Sequence, residues 1–162
     1  RHTVDKVALK SRIPAIVDDF KLLPNELDLF LQHYPAKCMG WKHTIKRLES
    51  YQNAPDIFKK KQGAFARNGL YLAGNITTCF HCGGCHGDWT DDEDPFVEHS
   101  RWYPECQFIR FIAGDNAVNY IRAQHENHMN MLAELGRRES KKSHKALVEE
   151  LFDGEDIQFY EN

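Results

Sequence analysis

The stretch Cys79–Trp89, CFHCGGCHGDW, places three cysteines and two histidines within eight residues. Thiolates and neutral imidazoles are the ligands zinc prefers, and a structural zinc takes four of them in a tetrahedron. A Cys-x-x-Cys knuckle presents two thiolates to one ion, because its turn curls both sulfurs inward. Cys79 and Cys82 have that spacing, but so do Cys82 and Cys85, and spacing alone does not choose. The remaining ligands must come from a separate element. His99 and Cys106, seven positions apart on opposite ends of a short predicted helix, are candidates. Two arguments favour the outer set of Cys79, Cys82, His99 and Cys106. Gly83-Gly84 lets the chain leave the knuckle in a tight turn, which puts Cys85 and His86 on the outgoing strand, pointing away. Using Cys85 would also leave His99 or Cys106 without a role. Four protein ligands leave no position for water, so the expected Zn2+ is single and structural, not catalytic. His125 and His128 stand at i, i+3, but no cysteine or carboxylate clearly joins them, and they read as the polar edge of a packed helix.

The elements that must position these ligands can be read from periodicity and punctuation. LYLAG and ITTCFHC alternate β-branched and aromatic residues around Gly74-Asn75, which predicts a short antiparallel hairpin delivering Cys79. An acidic turn, TDDEDP, follows the knuckle, and FVEHSRWYPEC predicts a short helix broken by Pro104. Upstream, Asn25 can cap a helix whose apolar stripe is Leu27, Phe30, Leu31 and Tyr34, ending before Pro35. That stripe reads as packing on its own domain or a missing neighbour, with a recognition helix for another protein as the lesser alternative. A second short helix is expected from Thr44 to Tyr51, and the lysines of FKKKQGAFARNG read as a solvated helix face. Downstream, Asp115 can cap a longer helix with a face of Ala117, Tyr120, Ile121, Met129, Leu132 and Leu135. Gly136 should stop it. A basic spacer, a shorter helix around Ala146 to Phe152 and an acidic end, EDIQFYEN, complete the chain. The expected organisation is thus an N-terminal helical flank at 1–43, a zinc-binding domain at 44–113, a helix at 114–136, and the spacer, short helix and tail at 137–162.

Bulk properties narrow the function. The chain has 162 residues, 41% of them hydrophobic, and a net charge of −3. That suits one globular domain with flanking segments and lacks the basic surplus of generic phosphate-backbone binding. Neither a membrane-spanning run nor a signal-peptide pattern is apparent. Five cysteines, an odd number, with closely spaced histidines point to metal ligation in a reducing, cytoplasmic setting. Charge is uneven. Between Cys79 and Cys106, seven acids face one base, while from Lys42 to Arg67 seven bases face two acids. The knuckle region therefore suits a cationic ligand better than a nucleic acid or a membrane surface. No catalytic constellation is visible, so a non-enzymatic role is expected. No cysteine follows Cys106, so no RING is expected within this chain.

Cys79-x2-Cys82-x16-His99-x6-Cys106 resembles the zinc signature of the BIR domain, which defines the inhibitor-of-apoptosis proteins. RLESY, FARNGLY, CFHCGG, DW, EDPFVEH and RWYPEC resemble that family's motifs in order and spacing, from about Lys46 to Ala113. The resemblance implies an α+β fold, a three-stranded antiparallel sheet surrounded by short helices, here with extra flanking helices, and one zinc ion on the outer ligand set. In the groove-bearing subtype it also implies a cleft that takes a peptide with a free N-terminal alanine. That peptide would add as a strand along Cys85–Asp88. Glu93, and at longer range Asp88, would receive its ammonium; Trp89 and Trp102 would wall a methyl pocket at the surface; Glu98 and Tyr103 would line further subsites. Cys85, His86 and Gly87 stand where the well-studied groove has a glycine, an aliphatic residue and a threonine. On a strand pairing with the ligand, His86 should line the subsite of the peptide's fourth residue and make it polar and pH-sensitive. Arg122 stands where the relative that traps a monomeric initiator caspase projects a histidine, and Glu105 replaces a glycine, so that route does not carry over.

Three functions follow. The leading one is recognition of N-terminal Ala peptides of caspases or inhibitor-of-apoptosis antagonists, restraining apoptosis. The alternative is an adaptor in signalling, or a survivin-like chromosomal role reading a histone tail, without caspase binding. A third, inhibition through the N-terminal flank lying across a caspase cleft, has no specific support in FKLLPNELDLF.

Overall fold

The structure, a computed structural model, describes residues 24–152, with side chains for 25–141. The start of the N-terminal flank and the acidic end lie outside the described residues. The chain divides into two compact units, Arg1–His125 and Glu126–Asn162.

In the first unit the predicted hairpin is present. β1 (Leu70–Ala73) and β2 (Ile76–Cys79) pair antiparallel, with Ala73 opposite Ile76, so Gly74-Asn75 is a two-residue turn. Such a turn needs left-handed backbone, and Gly74 supplies it at φ +63. A short third strand, β3 (Cys85–His86), pairs antiparallel with β2 and forms the sheet's edge. Helices surround this sheet. α1 (Pro24–His33), α2 (Thr44–Glu49), α3 (Asp56–Lys59) and α4 (Gln62–Arg67) precede it; α5 (Pro95–Trp102), α6 (Gln107–Ala113) and α7 (Asp115–Phe152) follow. The fold is α+β.

Start and stop chemistry explains the elements nearest the knuckle. Asp94 Oδ1 accepts from the N–H groups of Phe96 (2.9 Å) and Val97 (3.2 Å), while Pro95 supplies a first residue with no N–H to satisfy. α6 starts directly after Cys106 and sends Phe108, Ile109 and Ile112 into the core. There Phe108 meets Phe80 edge-on at 4.8 Å, a preferred aromatic geometry. The stripe of α1 packs on its own unit: Phe30 and Leu31 are buried, and Phe30 stacks on Phe111 at 4.3 Å. Tyr34, placed in the same stripe by sequence, is exposed. The linker after α1 is held by backbone bonds from Cys38 N–H to Phe80 O (2.8 Å) and from Lys37 N–H to His81 O (3.1 Å).

Arg47 is the most consequential buried polar residue of the helical half. It is 1% exposed. Its guanidinium donates to the carbonyls of Ala66 (2.8 Å), Trp41 (2.8 Å) and Lys42 (2.9 Å), and to Thr44 Oγ1 (3.1 Å). It also lies over the Phe80 ring at 4.6 Å. Burial lowers its pKa to about 10, against the opposing pull of Cys79 and Tyr51, so it stays charged at neutral pH. One side chain thus ties α2, the turn before it and α4 to the aromatic core.

The second unit is the rest of α7, and here the sequence expectation fails. The helix runs unbroken from Asp115 to Phe152, through Gly136 and through the predicted spacer. A glycine inside a helix costs only about 1 kcal/mol relative to alanine. Good helix formers flank this one and no proline follows it. Glu134 also pairs with Arg137 (2.7 Å) and Arg138 (3.1 Å), bracketing the glycine with i, i+3 and i, i+4 ion pairs. The predicted face divides as well: Ala117 and Ile121 are buried and Tyr120 is half-buried, whereas Met129, Leu132 and Leu135 are exposed. Among the described residues no helix is long and apolar enough to cross a membrane.

Replacing Arg47 with Met should leave three carbonyls without their donor. Bonds to a charged donor are worth roughly 1.5–3 kcal/mol each, and their losses overlap, so a total of about 3 kcal/mol is expected. Thermal unfolding of the zinc-loaded protein should shift down by roughly 10–20 °C. A shift below about 4 °C would show that Arg47 does not anchor this half.

Candidate metal centre and groove

The four ligands favoured by sequence meet. One ligand atom from each of Cys79, Cys82, His99 and Cys106 lies within 4.8 Å of all the others. Cys79 ends β2, and the knuckle closes through Gly83 N–H to Cys79 O and Cys79 N–H to Gly84 O, both 2.9 Å. Gly83 makes that closure at φ +75, a region costly for a residue with a side chain. His99 comes from α5 and Cys106 caps α6. Cys79 Sγ lies 3.9 Å from Cys106 Sγ, and Cys82 Sγ lies 3.6 Å from His99 Nε2. Zinc–sulfur and zinc–nitrogen bonds of about 2.3 and 2.0 Å in a tetrahedron imply edges of about 3.5–3.8 Å, so the donor set fits. The outer atoms fit too. His99 Nδ1 bonds Asn68 O at 3.1 Å, which turns Nε2 toward the sulfurs. Cys82 Sγ accepts from Gly84 N–H at 3.3 Å.

The competing cysteine lies elsewhere. Cys85 is exposed, with its sulfur 3.5 Å from both Thr78 Oγ1 and Gly83 O. His81 stands beside the cluster, with its Nε2 bonded to Tyr34 O at 2.7 Å and its ring also hydrogen-bonded to Cys106.

Three thiols this close cannot all ionise without a cation. Burial pushes the Cys79 thiol well up, reinforced by its thiol neighbours. Cys106 moves down, because hydrogen bonds from Cys79 and Cys82 stabilise its thiolate. For His99, burial lowers the pKa, but hydrogen bonds to Cys106 and Cys82 outweigh it and carry the imidazole up to about 9. The pocket thus collects negative potential around a proton that a metal would replace. When bound, zinc would supply no reaction here; its four bonds would tie the knuckle to α5 and α6.

The groove differs from expectation in three respects. First, Trp89 is not a surface wall. It is 6% exposed, meets Phe65 edge-on at 4.8 Å, and its Nε1 donates to Thr77 Oγ1 and His86 O, both 3.1 Å. Neighbours from α4 and β2, distant in sequence, bury it despite its acidic flanks. Trp102, by contrast, is 46% exposed, with its Nε1 on Glu98 Oε2 at 3.1 Å and its ring beside His125 at 5.0 Å. Secondly, β3 is shorter than the segment Cys85–Asp88. Asp88 is exposed and takes a left-handed backbone at φ +52, which ends the strand. At the other end Tyr103 Oη accepts from Cys85 N–H (3.0 Å) and donates to Cys85 O (2.8 Å). Its ring lies so close to Gly84 that any Cβ there would sit at 2.7 Å.

Thirdly, His86, expected beside the subsite of the peptide's fourth residue, turns its ring toward Trp89 and Glu93. Its ring packs on Trp89 at 4.4 Å, and its Nε2 is 3.8 Å from Glu93 Oε2. Ligand atoms of His86, Glu93 and Glu98 all lie within 4.8 Å of one another. Glu98 is buried and bonds Arg101 at 2.9 Å. Glu93 is buried too, with Oε1 held by Thr90 N–H at 2.8 Å.

Lys61, expected on a solvated helix face, is engaged across the fold. Its Nζ donates to the carbonyls of Glu93 (2.7 Å) and Asp91, and Lys60 pairs with Asp91 at 3.7 Å. The lysine run clamps the acidic turn, and the opposed charges of the two segments were the available signal. Arg122 and Glu105 also pair with each other, at 2.9 Å.

Metal analysis of purified variants tests the ligand set. His99→Ala and Cys106→Ser should lose bound zinc and unfold or aggregate, since structural zinc is worth on the order of 10 kcal/mol. Cys85→Ser should keep one zinc per chain, and zinc loss from that variant would refute the assignment.

Comparison with known proteins agrees with this geometry. Residues 47–110 match the family model of BIR, the Inhibitor of Apoptosis domain. The chain is similar to E3 ubiquitin-protein ligase XIAP of Rattus norvegicus, 35% identical over 71 residues, covering 43% of this chain and 14% of that protein. Baculoviral IAP repeat-containing protein 1 of Homo sapiens is 35% identical over 75 residues, covering 44% of this chain and 5% of that one. Apoptosis inhibitor IAP of Cydia pomonella granulosis virus is 28% identical over 83 residues, covering 50% and 30%. The matched segment spans less than a third of each relative's length. With the ligand set, the sheet and the helices in place, residues 47–110 form a BIR domain.

Proposed function

We propose that this domain is a zinc-structured binding module. It recognises the free N-terminal alanine of peptides from caspases or from antagonists of inhibitor-of-apoptosis proteins, and so restrains apoptosis in the reducing cytoplasm. The observation that carries the reading is Glu93. A buried carboxylate, held by Thr90 N–H and by Lys61 on its backbone, is preset to take an ammonium group. Trp102, exposed and fixed by Glu98, stands ready to shield a small side chain. The peptide would add alongside β3 as a further strand, with backbone bonds supplying affinity.

A second reading, an adaptor that does not use the groove, is favoured by one observation: Glu93 already faces His86, and Tyr103 already covers the Cys85 edge.

Titration with a peptide beginning Ala-Val-Pro, against its acetylated form, separates the two. Losing a charged hydrogen bond worth roughly 1.5–3 kcal/mol should weaken the acetylated peptide by about tenfold or more. Glu93→Gln should weaken the free-amine peptide comparably. Equal affinity for both peptides would leave the adaptor reading standing alone.

A further inference from the structure

We propose that His86 is the residue that decides what the amine pocket accepts. Its imidazole occupies the space between Trp89 and Glu93 in place of a ligand's ammonium, and a peptide N-terminus enters only by displacing it. This rests on the reading of Glu93 as the amine acceptor given above.

The geometry is specific. The His86 side chain is 14% exposed although it belongs to an edge strand. Its backbone is pinned, because His86 O accepts from both Trp89 Nε1 (3.1 Å) and Thr77 Oγ1 (3.2 Å). Only the side chain can move. The ring lies 4.4 Å from the Trp89 ring at 73°, covering the face against which a methyl group would pack. Nε2 lies 3.8 Å from Glu93 Oε2, the oxygen opposite the one that Thr90 N–H holds. An arriving ammonium needs that same carboxylate edge, so the two cations compete for one site.

The charged groups around the ring come from three elements. Glu93 lies on the acidic turn, with Lys61 reaching its carbonyl from the α3–α4 junction. Glu98 faces the ring from α5 with Arg101 bound to it. Asp88, exposed, lies just beyond β3 on the same chain. A protonated imidazole holds Glu93 by charge; a neutral one surrenders it more easily. Histidines ordinarily titrate near pH 6.5, whereas a peptide amine titrates near 8 and stays charged below that. The sign is then fixed: affinity for a free-amine peptide rises as pH increases from about 5.8 to about 7.2.

The test measures binding of an Ala-Val-Pro-Phe peptide to the zinc-loaded full chain at those two pH values, with the acetylated peptide as control. His86→Leu should bind the free-amine peptide about tenfold tighter than the unaltered protein at the lower pH. Its affinity should barely change between the two. In the unaltered protein, nuclear Overhauser contacts between the His86 and Trp89 rings should disappear on saturation with the peptide, a readout that needs no variant. Preference for the free amine combined with identical affinity and pH response in His86→Leu, or with persisting ring contacts, would overturn the proposal while leaving the groove reading intact. No preference for the free amine in either protein would overturn both.

Discussion

A domain with a three-stranded sheet, one strand of which has two residues, has little regular structure to hold its loops. The meeting of Cys79 and Cys82 with His99 and Cys106 does that work. Two ligands lie on a hairpin and its knuckle, and two lie on either side of the break between α5 and α6. Bringing them within bonding distance of one point fixes where β2 ends, how the chain turns into β3 and where α6 begins. Those are the segments that carry the groove. Backbone groups reinforce the same point, with Asn68 O orienting His99 and the knuckle N–H groups pointing at sulfur. The dry aromatic core behind the knuckle, Phe80 against Phe108 with Arg47 over Phe80, closes it from the other side.

The groove inherits its positions from that anchor, and its charge from two oppositely charged segments. The acidic turn after the knuckle would repel itself if left alone. Lys60 and Lys61 bind it from across the fold, which leaves Glu93 buried and aimed while its neighbours stay at the surface. His86 then fills the position that Glu93 and Trp89 create. A bare carboxylate in a half-closed pocket is costly. An imidazole beside it lessens that cost, at the expense of any other cation the site could take. Positioning by the metal knuckle and selection by the strand residue are thus separate layers of one construction.

Most of the metal site was legible in the sequence because ligand chemistry is local and strict. Spacing named two possible knuckles, and the glycines between Cys82 and Cys85 favoured the one whose sulfurs meet His99 and Cys106. The hairpin was legible for the same reason, since Gly74-Asn75 permits few turns. What sequence misjudged depends on neighbours distant along the chain. Trp89 has acidic flanks, yet Phe65 and Thr77 bury it. His86 was expected beside the subsite of a peptide's fourth residue, yet its ring packs on Trp89 and faces Glu93, a residue seven positions along the chain. Gly136 was read as a stop because glycine often ends helices; with strong helix formers and ion pairs around it, it does not. The lysine run looked like a solvated face because its partners lie some thirty residues away.

X-ray absorption fine structure at the zinc edge, on the purified metal-loaded chain, tests the central claim most directly because it counts ligands by element. The arrangement of Cys79, Cys82, His99 and Cys106 predicts one zinc with three sulfurs at about 2.3 Å and one nitrogen at about 2.0 Å, with no oxygen ligand. A shell of four sulfurs, which would bring in Cys85 and release His99, or a shell containing water, would contradict it.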